Sequence, residues 1–259
     1  MTEQEKQNLI RQNYEYGNLD ELSKTICKNK HAIQEWARKH GLKRKINILR
    51  KGNLTKFLDG SLESFYWLGF HAADGYISKN GHFMLSQSKP EHLQKLAKFL
   101  ETEIKTIKSG IGYSGKERIS YRVAVYDNKI GSQINNMFNI KTKKTYDRIS
   151  IDFLDSLDKA KSFLIGYTDG DGYINKSNIK LQCHKNWFEV YKELYIKQNK
   201  NGCMNIYLEY KKSNNDSYST ARITSSYSRE LHQFALKNNL PINEVKWNKL
   251  QYPKTPSNS

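Results

Sequence analysis

The sequence predicts an α+β fold made of two similar halves behind a small N-terminal helical domain. Three observations predict it: an internal repeat with a spacing of 97 residues, strand-like alternation after each copy of that repeat, and a run of short helical patterns in the first 45 residues. We divide the 259 residues into a helical domain (1–45), a basic linker (46–60), a first half (61–155), a second half (156–252) and a disordered tail (253–259).

Three helices are predicted in the N-terminal domain, over Glu3–Tyr14, Asp20–Cys27 and Lys30–His40. Asp20 is expected to cap the second helix and Gly41 to end the third. Apolar residues at helical spacing predict one small core, formed by Leu19, Leu22, Ile26, Ile33, Trp36, Ala37 and Leu42. Two short helices joined by a tight turn favour a helix-turn-helix unit. A plain three-helix packing domain is the alternative.

The repeat aligns FYWLGFHAADGYISK, which begins at Phe65, with SFLIGYTDGDGYINK, which begins at Ser162. Each copy is followed by a hairpin-like stretch, an amphipathic helix, alternating strands and a last helix. The predicted helices are Pro90–Leu100 and Asn128–Phe138 in the first half, and Trp187–Ile196 and Arg229–Asn238 in the second. Two equivalent halves of about one hundred residues would make a pseudo-twofold molecule.

Small residues recur on one face of each repeated helix. Gly69 and Ala73 are four residues apart in the first copy, as are Gly166 and Gly170 in the second. Such spacing lets two helix backbones approach closely, which offsets the roughly 1 kcal/mol that glycine costs inside a helix. We therefore expect the two helices to pack on each other.

Each repeated helix is expected to end in Asp-Gly, at Asp74 and Asp171. The glycine allows a positive φ that stops the helix. If the helices run parallel, the two carboxylates come close together, and they repel unless a cation lies between them. Hard divalent ions prefer such oxygen ligands. The alternative is that each aspartate only ends its helix.

The charge of the chain favours a polyanionic partner. Lys and Arg number 43 against 26 Asp and Glu, a formal net charge of +17. A basic protein without such a partner and a protein bound to an anionic membrane surface are the alternatives. No apolar run approaches the roughly 20 residues that span a bilayer. Paired carboxylates under a basic surface suit metal-dependent hydrolysis of phosphodiesters.

The cysteines favour an intracellular protein with reduced thiols. Cys27, Cys183 and Cys203 lack the spacing of a metal site, and no apolar signal segment follows Met1. The Lys-, Asn- and Ile-rich composition fits an AT-rich genome. We expect the cytoplasm of a bacterium or of a phage-infected cell, with an organelle as the alternative.

The two motifs WLGFHAADG (Trp67–Gly75) and LIGYTDGDG (Leu164–Gly172) resemble those of the LAGLIDADG homing endonucleases that carry two motifs on one chain. The first motif departs from the family pattern, because His71 and Ala72 stand where Ile and Asp are usual. The resemblance runs from about Leu62 to Leu250. It implies two αββαββα halves whose antiparallel sheets form a saddle over DNA. It also implies a monomer that uses Mg²⁺ (or Mn²⁺) to cleave both strands of a long target site.

The resemblance carries site residues onto particular positions. Asp74 and Asp171 match the family's metal ligands, and Ala73 and Gly170 precede them as further members of the metal site. Gln87 matches a polar residue that orders water, and the same interval from Asp171 reaches His184. Basic residues near the end of each half match Lys144 and Lys246, with Lys143 and Lys249 as neighbouring alternatives.

Candidate DNA contacts come from the N-terminal domain and from two strands. The first segment resembles bacterial and phage helix-turn-helix modules, which implies that the third helix enters a major groove. Its outward residues would be Lys30, His31, Gln34, Arg38 and Lys39. Alternation over Tyr121–Tyr126 and Asn205–Lys211 offers Arg122 and Lys211; ordinary sheet alternation with a solvated face is the alternative.

The sequence thus favours a site-specific, magnesium-dependent endonuclease that acts on double-stranded DNA. Basic residues neutralise phosphates, so binding is expected to weaken steeply with salt. The alternative on the same scaffold is a nucleic-acid-binding protein that does not cleave, either a maturase that binds intron RNA or a transcription regulator.

Overall fold

The computed structural model describes residues 1–14, 19–42, 52–78, 81–111, 117–138, 150–184, 189–190, 193–194 and 218–252. The chain divides into two compact units, Met1–Arg50 and Lys51–Ser259. Among the residues that the structure describes, no helix combines the length and the apolar character needed to cross a lipid bilayer.

The first unit consists of three short helices, α1 (Glu3–Asn13), α2 (Leu19–Ile26) and α3 (Lys30–Lys39). All seven predicted core residues line one cluster, joined by Ile10 and Tyr14. The predicted cap of α2 is wrong, because the helix begins at Leu19 and Asp20 lies within it. Gly41 ends α3 as predicted: its φ is +70°, and the next amide, of Leu42, donates to the carbonyl of Ala37.

The second unit begins with a 3₁₀ helix over Leu54–Leu58, inside the segment predicted to be a linker. Leu54 and Phe57 are each 2% exposed and belong to the main core. Residues 54–58 of the predicted linker therefore belong to the second unit. The segment was predicted to be a linker because of its basic composition, although Leu54 and Phe57 anchor it to the core.

The first half follows the order αββαββα that the sequence resemblance implied. Its elements are α4 (Leu62–Asp74), β1 (Gly75–Ile77), β2 (His82–Gln87), α5 (Pro90–Phe99), β3 (Lys105–Ile111), β4 (Glu117–Tyr126) and α6 (Asn128–Phe138). The strands form an antiparallel sheet in the order β1-β2-β4-β3. Val123 and Val125 of β4 are buried, which confirms the predicted alternation over Tyr121–Tyr126.

The second half repeats the beginning of this order. Its described elements are α7 (Leu157–Asp171), β5 (Gly172–Ile174), β6 (Ile179–His184), β7 (Tyr218–Ile223), α8 (Ser225–Lys237) and α9 (Glu244–Trp247). The three strands pair antiparallel in the order β5-β6-β7. Helix α8 begins at Ser225, four residues before the predicted Arg229, and its Tyr227 and Ser228 are buried. The predicted helix over Trp187–Ile196 is described only at residues 189–190 and 193–194, and the strand over Asn205–Lys211 lies outside the described residues.

Helices α4 and α7 occupy the centre of the second unit. Each is capped at its N-terminus by a serine hydroxyl, of Ser61 and Ser156 respectively. Residues of both helices and of both sheets belong to one continuous hydrophobic core. The two halves therefore share a single interior, and their helices meet along it.

Candidate active site

Glycines bring the backbones of α4 and α7 into direct contact. A Cβ added at Gly69 would overlap the carbonyl oxygen of Phe163, and one added at Gly166 would overlap that of Tyr66. These contacts are counterparts under the 97-residue shift, since Tyr66 and Phe163 occupy equivalent positions. Near the helix starts the hydroxyl of Ser162 donates to the carbonyl of Leu62, and near the helix ends Gly170 lies against Ala73. The helices therefore run parallel and are related by a pseudo-twofold axis, which confirms the predicted packing.

Asp74 and Asp171 are the last residues of α4 and α7, and both are exposed. The two helix ends adjoin: a Cβ on Gly170 would overlap that of Ala73 and lie 3.4 Å from Oδ2 of Asp74. Tyr167 donates a hydrogen bond of 3.3 Å to Oδ2 of Asp171. Two carboxylates are thus carried to one end of the helix pair.

The glycines that follow the aspartates do not act as predicted. Gly75 and Gly172 have φ values of −85° and −83°, so neither helix stops at a left-handed residue. Instead, a Cβ at Gly75 would overlap the ring of His71, and one at Gly172 would lie 2.5 Å from the carbonyl oxygen of Thr168. Glycine lets the chain turn from helix to strand against the last helical turn. His71, one of the two departures in the first motif, is buried and stacks on Phe83 at 4.7 Å, in the core of its own half.

Gln87 lies at the end of β2, and its Nε2 donates a 2.6 Å hydrogen bond to Oδ2 of Asp74. The equivalence proposed for His184 is wrong. Gly75 pairs with Leu85 in the first sheet, whereas Gly172 pairs with Leu181 in the second, so the second hairpin is one residue shorter. By register the counterpart of Gln87 is Cys183.

Lys246 lies in α9 and interacts with the end of α7. Its Nζ donates to the carbonyl oxygens of Thr168 (2.8 Å), Asp169 (2.8 Å) and Gly170 (3.3 Å). A cation there complements the negative end of the helix dipole and adds hydrogen bonds to carbonyls of the last turn, of which that of Thr168 also accepts from the amide of Gly172. Burial lowers the pKa of Lys246, and the negative charges of Asp169, Asp74 and Asp171 oppose that effect. The ammonium group therefore lies within the electrostatic reach of both terminal aspartates.

Lys249 was the predicted alternative to Lys246, and its positive charge reaches the ammonium of Lys246. Lys249 places its Nζ 5.9 Å from the centre of the Tyr173 ring. Lys143 and Lys144 are outside the described residues, as is Lys211. Within the part of the chain that the structure describes, no group of three or more His, Cys, Asp or Glu residues could hold a metal ion.

Sequence reasoning missed a buried polar network beside the two carboxylates. Asp169, 4% exposed, accepts hydrogen bonds from Tyr66 Oη (2.5 Å), Trp247 Nε1 (2.7 Å) and the amide of Asn243 (3.0 Å). Burial raises the pKa of Asp169, and these donors oppose the rise. The network continues from Tyr66 Oη to Nε2 of His92 at 2.8 Å. The only sequence signal was that Asp169 has Ala72 as its counterpart in the first motif.

The candidate DNA-contacting residues of α3 all point to solvent. Lys30, His31, Gln34, Arg38 and Lys39 are exposed, while Ile33 and Ala37 form the buried face. Asn29 caps the helix, and its side chain accepts a hydrogen bond from the amide of Ala32. In β4, Arg122 is half-buried and donates from Nε to the hydroxyl of Ser86 at 3.0 Å.

Comparison with known proteins identifies the fold. No protein family model matches the chain, and no curated protein matches it. Among solved structures, the homing endonuclease I-WcaI bound to its DNA recognition sequence is 16% identical, with a TM-score of 0.51 over 75% of this chain and 87% of that one. I-DmoI in complex with DNA and Ca is 15% identical, with a TM-score of 0.41 over 71% and 90%.

The N-terminal LAGLIDADG domain of DUF199/WhiA is 17% identical, with a TM-score of 0.41 over 79% of this chain and 96% of that one. The likeness to I-WcaI, together with the paired glycine-faced helices, shows that the chain has the saddle-shaped α+β fold of the LAGLIDADG homing endonucleases.

Proposed function

We propose that the chain is a site-specific endonuclease that hydrolyses phosphodiester bonds in both strands of a DNA duplex with the help of divalent metal. The observation that carries this proposal is the arrangement of Asp74 and Asp171 at adjoining ends of two parallel helices, with the ammonium of Lys246 in electrostatic reach of both. A protein that only bound nucleic acid would have no need of two acids where phosphate is to be bound.

The donor set fits magnesium or manganese. Asp74 and Asp171 offer carboxylate oxygens, and Ala73 offers the backbone carbonyl next to one of them. The carbonyl of Gly170, which precedes Asp171, already accepts a hydrogen bond from Lys246. Mg²⁺ prefers hard oxygen ligands and is usually held by one or two carboxylates, with water and substrate phosphate completing its shell. A site of two aspartates matches that preference. When bound, the ion would lower the pKa of a water molecule and stabilise charge on the leaving oxygen.

The surrounding side chains orient the two carboxylates and reduce the repulsion between them, as a metal site requires. The amide of Gln87 fixes Oδ2 of Asp74 through a 2.6 Å hydrogen bond, and Tyr167 holds Asp171 in the same way at 3.3 Å. The cation of Lys246 reduces the repulsion between the two acids and attracts a phosphate to them. Each aspartate would serve mainly one strand, because the two sites are related by the pseudo-twofold axis.

The partner we propose is double-stranded DNA with a long target site. The net charge of +17 supports a polyanion, and I-WcaI, a solved structure of similar fold, is bound to its DNA recognition sequence. The exposed basic face of α3 would add contacts from a helix-turn-helix unit. Both motifs lie on one chain, which supports a monomer as the active form.

The experiment compares cleavage with binding. Duplexes that the full chain binds are enriched from a randomised pool, cloned into a plasmid and incubated with the chain in Mg²⁺ or in a chelator. We expect linear plasmid in Mg²⁺ and none in the chelator. Bound but intact DNA in both conditions would overturn the proposal and favour a regulator. Preferential binding of structured intron RNA, again without DNA cleavage, would favour a maturase.

A further inference from the structure

Asp169 lies two residues before Asp171 in α7, but the two side chains differ in burial and in their contacts. Asp171 is exposed at the helix end, whereas Asp169 is 4% exposed, because residues two apart on a helix point in nearly opposite directions. A buried carboxylate is retained only where donors replace the water it has lost. The three donors to Asp169 therefore indicate what it holds in place.

Two of those donors belong to the segment that ends the second half. The amide of Asn243 and the indole of Trp247 lie at either end of α9, and both donate to Asp169. The third donor, Tyr66, comes from the other half and donates to Oδ2, the oxygen that also accepts from the amide of Asn243. Asp169 thus joins α4, α7 and α9 at one point.

Lys246 lies in α9, between Asn243, which caps the start of the helix, and Trp247, which ends it. Its backbone amide donates to the carbonyl of Asn243, and its Nζ donates to the carbonyls of Thr168, Asp169 and Gly170. A four-residue helix has too few internal hydrogen bonds to fix itself, so its orientation depends on these outside contacts and on the fully buried ring of Trp247. The neighbouring Val245 is 78% exposed and contributes little packing.

We propose that Asp169 is a positioning residue, which anchors α9 through Asn243 and Trp247 and thereby holds the ammonium of Lys246 beside Asp74 and Asp171. Helix α4 has no carboxylate at the equivalent position, since the counterpart of Asp169 is Ala72, a buried residue without a polar side chain. This role deepens the proposed function, and the effect of Asp169 on catalysis rests on that function.

The test begins with a readout that needs neither metal nor DNA. In protein labelled with ¹⁵N-lysine, the side-chain ammonium of Lys246 should give a slowly exchanging signal, which Lys246→Met identifies by its loss. Asp169→Asn keeps the shape of the side chain but replaces one acceptor oxygen by an NH₂ group, which cannot accept the hydrogen bonds that the carboxylate accepts. We therefore expect the ammonium signal of Lys246 to broaden or disappear. Trp247→Phe removes one anchor from the other side and should weaken the signal too. Tyr252→Phe, which loses the hydrogen bond to His232 in the same terminal segment, should leave it unchanged.

Kinetics then separates positioning from general support of the fold. We expect Asp169→Asn to slow single-turnover cleavage about tenfold while DNA affinity stays within about twofold. In the Lys246→Met background the same substitution should cost nothing more, because it acts through that lysine. An unchanged ammonium signal, or rate losses that multiply in the double variant, would overturn the proposal. If the parent chain cuts no DNA, the proposed function fails, and the ammonium signal still decides whether Asp169 holds Lys246.

Discussion

Asp74 and Asp171 end equivalent helices, yet the side chains around them differ. Asp74 accepts a hydrogen bond from Gln87, whereas Asp171 accepts one from Tyr167 of its own helix. Lys246 comes from the second half and adjoins the end of α7. The repeat thus places two similar acids in two different environments, so substitutions at equivalent positions should not have equal effects.

Gln87→Met tests the first of these environments. The substitution removes the amide that fixes Asp74 but keeps the length of the side chain, so we expect cleavage to slow about 10- to 100-fold. The strand served by Asp74 should be affected first, leaving nicked plasmid as an intermediate. Gln94→Met, at an exposed position on α5, is the matched control and should cut at the parent rate. Equal loss in both variants would show that the hydrogen bond to Asp74 is irrelevant.

His92 gives the fold a pH dependence at the scale of one residue. Burial, aided by Lys95 and Lys246, lowers the pKa of its imidazole to about 3. The unfolded chain takes up a proton near the ordinary pKa of 6.5 and the folded chain does not, so stability is lost as pH falls from that value towards 3. Between pH 7 and pH 5 we expect a loss of about 2 kcal/mol from this group.

Urea unfolding at the two pH values measures that loss. His92→Gln should remove about 2 kcal/mol of the difference between pH 7 and pH 5. His31→Gln, at an exposed position on α3, should leave the difference unchanged. The same pH dependence in parent and His92→Gln proteins would show that this histidine is not the titrating group.

At the scale of elements, the contact between α4 and α7 depends on the absence of two Cβ atoms. At Gly69 and Gly166 the atoms that a methyl group would meet are backbone carbonyls of the other helix, which cannot move aside as a flexible side chain would. The helix pair is therefore intolerant of even the smallest side chain at these positions, although alanine is the better helix former.

Gly69→Ala measures this intolerance. We expect the free energy of unfolding of the second unit to fall by about 3 kcal/mol, because the clash outweighs the gain in helix propensity. Gly60→Ala is the comparison: an added Cβ there meets nothing within 4 Å, and the φ of +77° should cost only about 1 kcal/mol. Denaturant unfolding at the parent midpoint for Gly69→Ala would contradict the packing.

Elements with local signals were predictable from the sequence, and elements fixed by distant contacts were not. Helix α6 was predicted at its observed bounds, and β1 and β5 follow the two motifs with the expected spacing. The 3₁₀ helix over Leu54–Leu58 was missed because a basic segment hid two core residues. His184 was matched to Gln87 by counting residues from the aspartate of each motif. The second hairpin is shorter by one residue, so that count reaches the opposite face of the strand, although the sequence pattern barely changes.

The candidate site shows the same division. The positions of Asp74 and Asp171 were predictable because a repeat, two helix faces and a resemblance agreed. The role of Asp169 was not, because its partners Asn243 and Trp247 lie 74 and 78 residues further along the chain. No local pattern indicates which buried donor will meet a given carboxylate.

At the scale of the whole molecule, the excess of positive charge makes association with DNA dependent on salt. The first unit presents three exposed basic residues on α3, namely Lys30, Arg38 and Lys39. If α3 contacts DNA, each phosphate that it neutralises adds about 0.9 to the slope of log affinity against log salt. A packing domain without DNA contact adds nothing.

Replacing the three residues by Gln separates these readings. We expect weaker binding and a salt slope reduced by about 2 to 3. Removing equal charge from α1 and α2, at Lys6, Arg11 and Lys24, is the control and should alter the slope less. Equal slopes for the α3 variant and the parent chain would rule out phosphate contacts by these three side chains.

The most direct test of the role of the two terminal carboxylates is the rate of double-strand DNA cleavage in Mg²⁺ by the variants Asp74→Asn and Asp171→Asn. Asp158→Asn, an exposed acid in the first turn of α7, is the matched control. We expect the control to cut at the parent rate, and each terminal variant to produce double-strand breaks at least about 100-fold more slowly while binding DNA as tightly as before. Cleavage at the parent rate by both terminal variants would contradict the account.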